Sequence, residues 1–179
     1  MKKVLLTIVL ATASLMIFAQ AVDRDMVVVE IATGTWCGYC PGAAMGADDL
    51  IANGHPVAIM ENHNSDPFAN VYSDARNSYY SVSGYPTAKF DGVLEYVGGS
   101  GSSSMYSNYL PLVNQRVVIP SDFTLAINGE NTSGNTYDFV VTVDNVNSNT
   151  VSGLKLRFGL TESEIAYSWQ GQTELNFVT

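Results

Sequence analysis

The most constraining feature of this sequence is the placement of its only two cysteines, Cys37 and Cys40, three positions apart. They follow a β-branched apolar run over residues 26–32 that predicts a buried strand, and Pro41 favours the first turn of a helix directly after them. A bridge between them would close almost no loop and would add little stability through chain entropy. We therefore expect the pair to matter for its chemistry rather than for stability.

The first 21 residues have the layout of a cleaved secretory signal. Lys2 and Lys3 precede an apolar run over residues 4–18, and the small-residue pattern Ala-Gln-Ala follows at 19–21. The run is shorter than the ~20 residues of a membrane-spanning helix. An N-terminal anchor that is not cleaved is the alternative. We expect an exported protein whose mature chain begins near residue 22.

The mature chain is strongly acidic. Without residues 1–21 it keeps six basic and seventeen acidic residues, a net charge of −11. The basic residues are scattered and form no patch: Arg24, Arg76, Lys89, Arg116, Lys155 and Arg157. Such a chain is not expected to bind nucleic acid or an anionic membrane surface.

Hydrophobic periodicity predicts alternating strands and helices after the first strand. A helix begins at the cysteine pair and ends near Asn53, before a second strand over residues 56–61. A second helix is expected over residues 66–80, with Asp66 as its N-cap.

Two short strands, residues 87–90 and 93–97, are then joined by an Asp-Gly hairpin turn. A last helix is expected over residues 105–117, where Pro111 would interrupt or kink it. The predicted order is β-α-β-α-β-β-α, an α/β domain over residues 22–118.

The remaining residues, 119–179, predict an all-β region. Apolar and polar residues alternate over residues 123–127, 137–143 and 154–160, as in half-buried strands. The region is too short for a complete sandwich, which takes ~7 strands and ~100 residues. Either it packs on the first domain or the sequence is a fragment of a longer chain; we expect an incomplete, sandwich-like region in a fragment.

The position of the cysteines suits thiol–disulfide exchange. Unpaired N–H groups and the dipole at a helix N-terminus would lower the pKa of Cys37 and make it the nucleophile. Cys40, about one turn further along, would attack the resulting mixed disulfide and release the substrate. No diffusible cofactor is expected, because electrons pass through the cysteine pair itself.

Two segments resemble the thioredoxin superfamily. The stretch W-C-G-Y-C at 36–40 is similar to its tryptophan-then-CxxC signature, and G-Y-P-T at 84–87 is similar to its cis-proline loop. The resemblance implies that the bond before Pro86 is cis, that Tyr85 lines a peptide groove, and that Trp36 completes the docking surface.

A second resemblance is to exported, outer-membrane-associated bacterial proteins that join a thioredoxin-like domain to a β-rich C-terminal region. E-I-A-T-G-T-W-C-G-Y-C-P at 30–41 is similar to their opening motif, and residues 161–179 are similar to part of their β-region. The resemblance implies a periplasmic, outer-membrane or cell-surface location. Some members are described as adhesin-like.

Glu30 is a candidate proton relay by resemblance, because thioredoxins bury an acid on the strand before the cysteine pair. It lies seven residues before Cys37, one more than the usual spacing. Side chains alternate along a strand, so the extra residue could turn Glu30 away unless the loop at 33–35 absorbs it. The alternative is a carboxylate at the sheet edge or bonded to the loop.

A metal site is not expected. His55 and His63 flank the second strand, but a closed zinc site needs four protein ligands, and no further cysteine or well-spaced histidine is present. We interpret His63 as a loop histidine satisfied by hydrogen bonds.

The sequence therefore favours an exported thiol–disulfide oxidoreductase, a reductase or isomerase that acts on protein thiols and disulfides and exchanges electrons with a redox partner protein. The alternative is a non-enzymatic outer-membrane or cell-surface binding protein in which the Cys37–Cys40 bridge is static.

Overall fold

The computed structural model of the protein describes residues 20–148 and 150–179. The predicted signal at residues 1–21 lies almost entirely outside this part of the chain. Within it, no helix has the length and apolar character needed to cross a membrane. The chain divides into two compact units, one containing residues 122–150 and the other combining residues 22–121 with residues 151–179.

The larger unit is built on a four-stranded mixed sheet in the order β2-β1-β3-β4. β1 pairs parallel with β2 and antiparallel with β3, which pairs antiparallel with β4. Valine and isoleucine fill the central strand because β-branched side chains pack well on a pleated surface. The strands are β1 (Val27–Thr33), β2 (Val57–His63), β3 (Thr87–Phe90) and β4 (Leu94–Val97).

Three helices accompany the sheet: α1 (Cys40–Ala52), α2 (Val71–Tyr79) and α3 (Tyr106–Val117). The predicted order β-α-β-α-β-β-α is confirmed, and the architecture is consistent with a thioredoxin-like domain. Alternation along β1 directs Val27, Val29 and Ile31 into a core shared with α1 and α3. Helix α1, which carries Cys40, is thereby held against the sheet.

The predicted N-cap of the second helix is wrong by four residues. Asn70, not Asp66, is the N-cap of α2, and its side-chain oxygen accepts the N–H groups of Tyr72 and Ser73. The Ser73 hydroxyl accepts the Asn70 N–H in return, which completes a capping box. Asp66 instead accepts two N–H groups in the preceding turn, so both residues satisfy backbone donors but only Asn70 begins the helix.

We expect Asn70→Ala to lower the free energy of unfolding by about 1 kcal/mol, because the variant leaves two N–H groups of α2 without a side-chain acceptor. Asn70→Ser is the matched control, since serine keeps an acceptor at the N-cap but also loses the bond from the Asn70 amide to the Thr179 carbonyl. Urea unfolding measures both. Equal losses in the two variants would contradict a capping role.

Pro111 does not interrupt the third helix. Helix α3 is continuous over Tyr106–Val117, with Pro111 inside it. Tyr109 and Val113, on either side of the proline, are fully buried in the core. The free energy gained by burying this face of α3 therefore outweighs the cost of the backbone hydrogen bond that is lost because proline has no N–H.

The smaller unit is a two-stranded antiparallel sheet of β5 (Phe123–Ser133) and β6 (Thr136–Asn145). The strands predicted over residues 123–127 and 137–143 are present, but their apolar side chains, such as Leu125 and Ile127, are exposed rather than half-buried. Residues 165–179 add a second pair, β7 (Ile165–Trp169) and β8 (Gln172–Leu175), to the larger unit. The two pairs are separate two-stranded sheets, and the sandwich-like arrangement stays a prediction.

The strand predicted over residues 154–160 is wrong. This segment belongs to no sheet, and Leu154, Leu156 and Leu160 are each more than half exposed. Alternating apolar and polar residues show that a segment could form a half-buried strand. A strand forms only where a neighbouring strand supplies hydrogen-bond partners for its backbone. In the structure the neighbouring strands further along the chain, β7 and β8, pair with each other instead.

Candidate functional site

Cys37 and Cys40 form a disulfide at the junction of β1 and α1, with their Cα atoms 5.4 Å apart. Two turns position them: the Cys37 N–H donates to the Gly34 carbonyl at 3.0 Å, and the Cys40 N–H donates to the Cys37 carbonyl at 3.2 Å. Cys40 is the first residue of α1, and Cys37 lies just before it. Cys40 is fully buried and Cys37 is 4% exposed.

Trp36, Tyr85 and Pro86 are brought together beside the disulfide. The Trp36 ring, half exposed, meets the Tyr85 ring edge-on with centroids 5.5 Å apart. Its Nε1 donates to the Asn64 carbonyl at 2.7 Å, which fixes the ring against the loop after β2. Tyr85 also packs against the cluster that contains both cysteines. The predicted cis bond between Tyr85 and Pro86 is confirmed; the substrate-binding role of these residues stays a prediction.

Gly99 is a residue at this site that the sequence analysis did not identify. A Cβ at Gly99 would clash with the Tyr39 carbonyl oxygen and would lie 2.7 Å from Cγ of Pro86. The neighbouring Gly98 donates its N–H to the Pro86 carbonyl at 2.9 Å. Only glycine allows the backbone at position 99 to lie this close to both the cysteine loop and the proline loop. The adjacent glycines Gly98 and Gly99 are the sequence signal that could have indicated a close backbone contact here.

Glu30 is buried, but its carboxylate is directed away from α1. It accepts hydrogen bonds from the Arg76 side chain, at 2.5 Å and 2.6 Å, and from the Tyr80 hydroxyl at 2.6 Å. The hydrogen bond to Glu30 raises the pKa of Arg76. Because Val29 and Ile31 point toward α1 and α3, alternation turns Glu30 toward α2. Glu30 lies on an internal strand and is bonded to Arg76 and Tyr80, so it is neither at the sheet edge nor bonded to the loop at 33–35. These contacts give the proton relay no support.

A different acid, Glu61, lies on the α1 side of the sheet. Along β2, the side chains of Val57, Ile59 and Glu61 point to the same face of the sheet. Val57 and Ile59 belong to the core shared with α1 and α3. Burial, reinforced by the negative charge of Asp48, raises the pKa of Glu61 to about 8. Its carboxyl group is therefore mainly protonated at neutral pH. Alternation within β2 could have identified this residue, since it predicts a core-facing acid.

His63 is the last residue of β2 and is fully buried rather than part of a loop. Its Nδ1 lies 2.7 Å from Oδ2 of Asp66, which also accepts the Thr35 N–H at 2.7 Å. Burial opposes ionisation of Asp66, but these hydrogen bonds and the nearby imidazole outweigh it and lower the pKa of Asp66. His63 Nε2 has no hydrogen-bond partner within residues 20–148 and 150–179 and lies 3.8 Å from Oε2 of Glu61. The pair Asp66–His63 thus connects β2 to the loop that precedes Cys37.

No group of three or more histidine, cysteine or acidic side chains in the described part of the chain is arranged to hold a metal ion.

A polar cleft of about 420 Å³ borders Tyr85. Asn64, whose carbonyl holds the Trp36 ring, and Asp74 of α2 both line it, and the Asn64 amide donates to the Asp74 carboxylate at 3.2 Å. The exposed Trp36 ring, the partly buried Tyr85 ring and this cleft form one continuous surface next to the cysteine loop.

Residues 165–178 cover the disulfide, which the sequence did not predict. Trp169, Leu175 and Val178 are buried in one cluster with Cys37 and Cys40. More than 120 residues separate these two parts of the chain, so no local pattern relates them.

No protein-family model matches the chain, and no curated protein matches it. Among solved structures, the chain is similar to HBP35 of Porphyromonas gingivalis, with 15% sequence identity and a TM-score of 0.47. The similarity covers 63% of this chain and 39% of that one. The chain thus corresponds to well under half the length of that protein.

Proposed function

We propose that this protein is an exported thiol–disulfide oxidoreductase of thioredoxin-like fold that uses the Cys37–Cys40 pair on protein substrates. The observation that carries the proposal is the disulfide between the only two cysteines, formed where β1 ends and α1 begins. The paired rings of Trp36 and Tyr85 lie next to it and support the same function.

In the reductase direction, both cysteines begin as thiols. The Cys37 thiolate, favoured by the positive end of the α1 dipole, attacks one sulfur of a substrate disulfide and forms a mixed disulfide. The other substrate sulfur leaves as a thiolate and takes up a proton. Cys40 then loses its proton and attacks the Cys37 sulfur, which restores the Cys37–Cys40 disulfide and releases the second substrate thiol. Two electrons pass to the substrate, and a dithiol of a redox partner protein must return them.

The surface beside the pair suits a polypeptide. Trp36 and Tyr85 offer apolar faces, and the cleft along Tyr85 offers amide, hydroxyl and carboxylate groups to an extended chain. Export, and a periplasmic or outer-membrane location, are parts of this proposal that the signal-like N-terminus supports.

The proposal is tested by trapping the intermediate. Reduced Cys40→Ser should form a mixed disulfide with insulin that persists, because the resolving thiol is missing. Reduced Cys37→Ser should form none, and its insulin-reducing rate should fall on the order of 100-fold or more, to the rate of the reductant alone. Non-reducing mass spectrometry and insulin precipitation measure the two effects.

The double variant Cys37→Ser/Cys40→Ser is the background control, and circular dichroism verifies that each variant is folded. A reduced wild-type protein that neither reduces insulin nor reoxidises in its presence would refute the proposed function.

The alternative function is a binding protein, adhesin-like in character, with a static disulfide. The burial of both cysteines is the specific observation that favours it. A reduction potential below roughly −300 mV, with no exchange activity, would support this alternative.

A further inference from the structure

Thiol–disulfide exchange requires an attacking sulfur to reach one sulfur of the disulfide. In this structure the Cys37–Cys40 pair is almost completely shielded, with Cys37 4% exposed and Cys40 fully buried. Apolar side chains from the β7–β8 region enclose it: Trp169, Leu175 and Val178. A thiolate on another protein therefore cannot reach the pair while this conformation persists.

The base of the β7–β8 hairpin is held by backbone hydrogen bonds. The Glu61 N–H of edge strand β2 donates to the Phe177 carbonyl at 2.7 Å. Val178 also exchanges two hydrogen bonds of 2.9 Å with Glu162, which lies just before β7. These bonds are short and well paired, so the base remains attached to the sheet.

The hydrogen bonds that hold the tip of the hairpin are longer, although the Trp169 ring there is buried against the disulfide. The Gln170 side-chain amide donates to the carbonyls of Thr35 and Trp36 at 3.3 Å and 3.4 Å, beyond the usual N–H···O range. The Trp169 indole N–H donates to the Glu174 carbonyl inside the hairpin at 3.0 Å. The indole thus stays attached to the hairpin, and moving the tip removes it from the disulfide.

Two residues with left-handed backbone flank the hairpin where it joins its base. Glu164, just before β7, has φ 62°, and Phe177, after β8, has φ 58°. Non-glycine residues rarely adopt this region, and such positions concentrate at switch segments. Hinges in proteins are a few residues at the ends of elements that absorb a backbone change.

From these observations we infer that hairpin β7–β8 is a lid over the redox disulfide, with hinges at Glu164 and Phe177 and with Trp169 as the gating side chain. Closed, it shields the oxidised pair; open, it exposes Cys37 beside the Trp36–Tyr85 surface. The inference rests on the proposed function for its catalytic meaning, because the lid controls which thiols react with this pair.

The test measures how fast dithiothreitol reduces the disulfide of the full chain. One dithiothreitol thiolate attacks one cysteine sulfur and displaces the other cysteine as a thiolate, which takes up a proton. The second dithiothreitol thiol loses its proton and displaces the attacked cysteine, which gives two cysteine thiols and cyclic oxidised dithiothreitol. We expect Gln170→Ala, which loses both tip bonds, to react about fivefold faster than wild type. Trp169→Ala should react at least ~10-fold faster if it folds. Alkylation of free thiols and mass spectrometry follow the reaction.

Tyr72→Ala is the matched control, since Tyr72 is an exposed aromatic residue of α2, and its reduction rate should equal that of wild type. Gln170 is itself exposed, so its variant keeps the test valid if Trp169→Ala does not fold. A folded Gln170→Ala protein that is reduced no faster than wild type would overturn the lid.

The lid and the proposed function fail in different ways. If insulin is reduced by wild type but Gln170→Ala shows an unchanged dithiothreitol rate, the lid is refuted and the function stands. If Gln170→Ala reacts faster with dithiothreitol but neither protein reduces insulin, the lid stands and the proposed function is refuted.

Discussion

Replacing Arg76 with methionine should lower the free energy of unfolding by about 3–5 kcal/mol, because the variant leaves the Glu30 carboxylate buried without its cation. The Glu30 side chain is 4% exposed and that of Arg76 is 19% exposed, so water cannot replace the lost partner. The remaining hydrogen bond, from the Tyr80 hydroxyl, carries no charge. Urea unfolding followed by circular dichroism measures the loss.

The matched control is the double variant Arg76→Met/Glu30→Gln, which removes both charges. We expect it to recover a large part of the stability lost in the single variant, because a neutral amide costs far less to bury than a carboxylate. If the double variant is as unstable as Arg76→Met alone, the loss comes from packing of the arginine on Tyr79 and Tyr80 and not from the ion pair.

The second large effect is the pH dependence that Glu61 introduces. Its pKa rises from an ordinary 4.5 to about 8 in the folded protein. The folded chain therefore binds more protons than the unfolded chain between these values, and its stability is highest at the low end and falls as pH rises. The slope for one proton reaches about 1.4 kcal/mol per pH unit. Urea unfolding at intervals from pH 5 to pH 9 measures it.

Glu61→Gln is the matched control, because glutamine has nearly the same shape and keeps a neutral donor at all pH values. It should flatten the decline in stability between pH 5 and pH 8. The charged and titratable groups that face Glu61 are Asp48 of α1, Tyr109 of α3 and the His63 ring. A wild-type slope that Glu61→Gln leaves unchanged would assign the pH dependence to one of these neighbours.

Local patterns predicted the elements that position the site. The β-branched run before Cys37, Pro41 in the first turn of α1 and the Asp-Gly turn between β3 and β4 each depend on neighbouring residues alone, and the structure has the corresponding elements. The N-cap of α2 was missed because Asp66 and Asn70 are both good capping residues. Which of them begins a helix depends on the packing of the turn between them.

The role of each acidic residue was harder to predict. The resemblance to thioredoxins drew attention to Glu30, whereas the structure pairs Glu30 with Arg76 and buries Glu61 on the side of α1. Alternation specifies that neighbouring side chains point to opposite faces of a strand, but not which face a helix covers. That choice depends on how the whole sheet packs.

The sequence by itself determined that two cysteines lie between a β-branched run and a helix and that the chain is strongly acidic, and the resemblance implied the cis bond before Pro86. Only the tertiary structure decided that a hairpin more than 120 residues later covers the pair. The physical reason is that strand and helix propensities and turns act over a few residues, whereas burial is shared by segments distant in sequence. Whether Cys37 can react is decided by that burial.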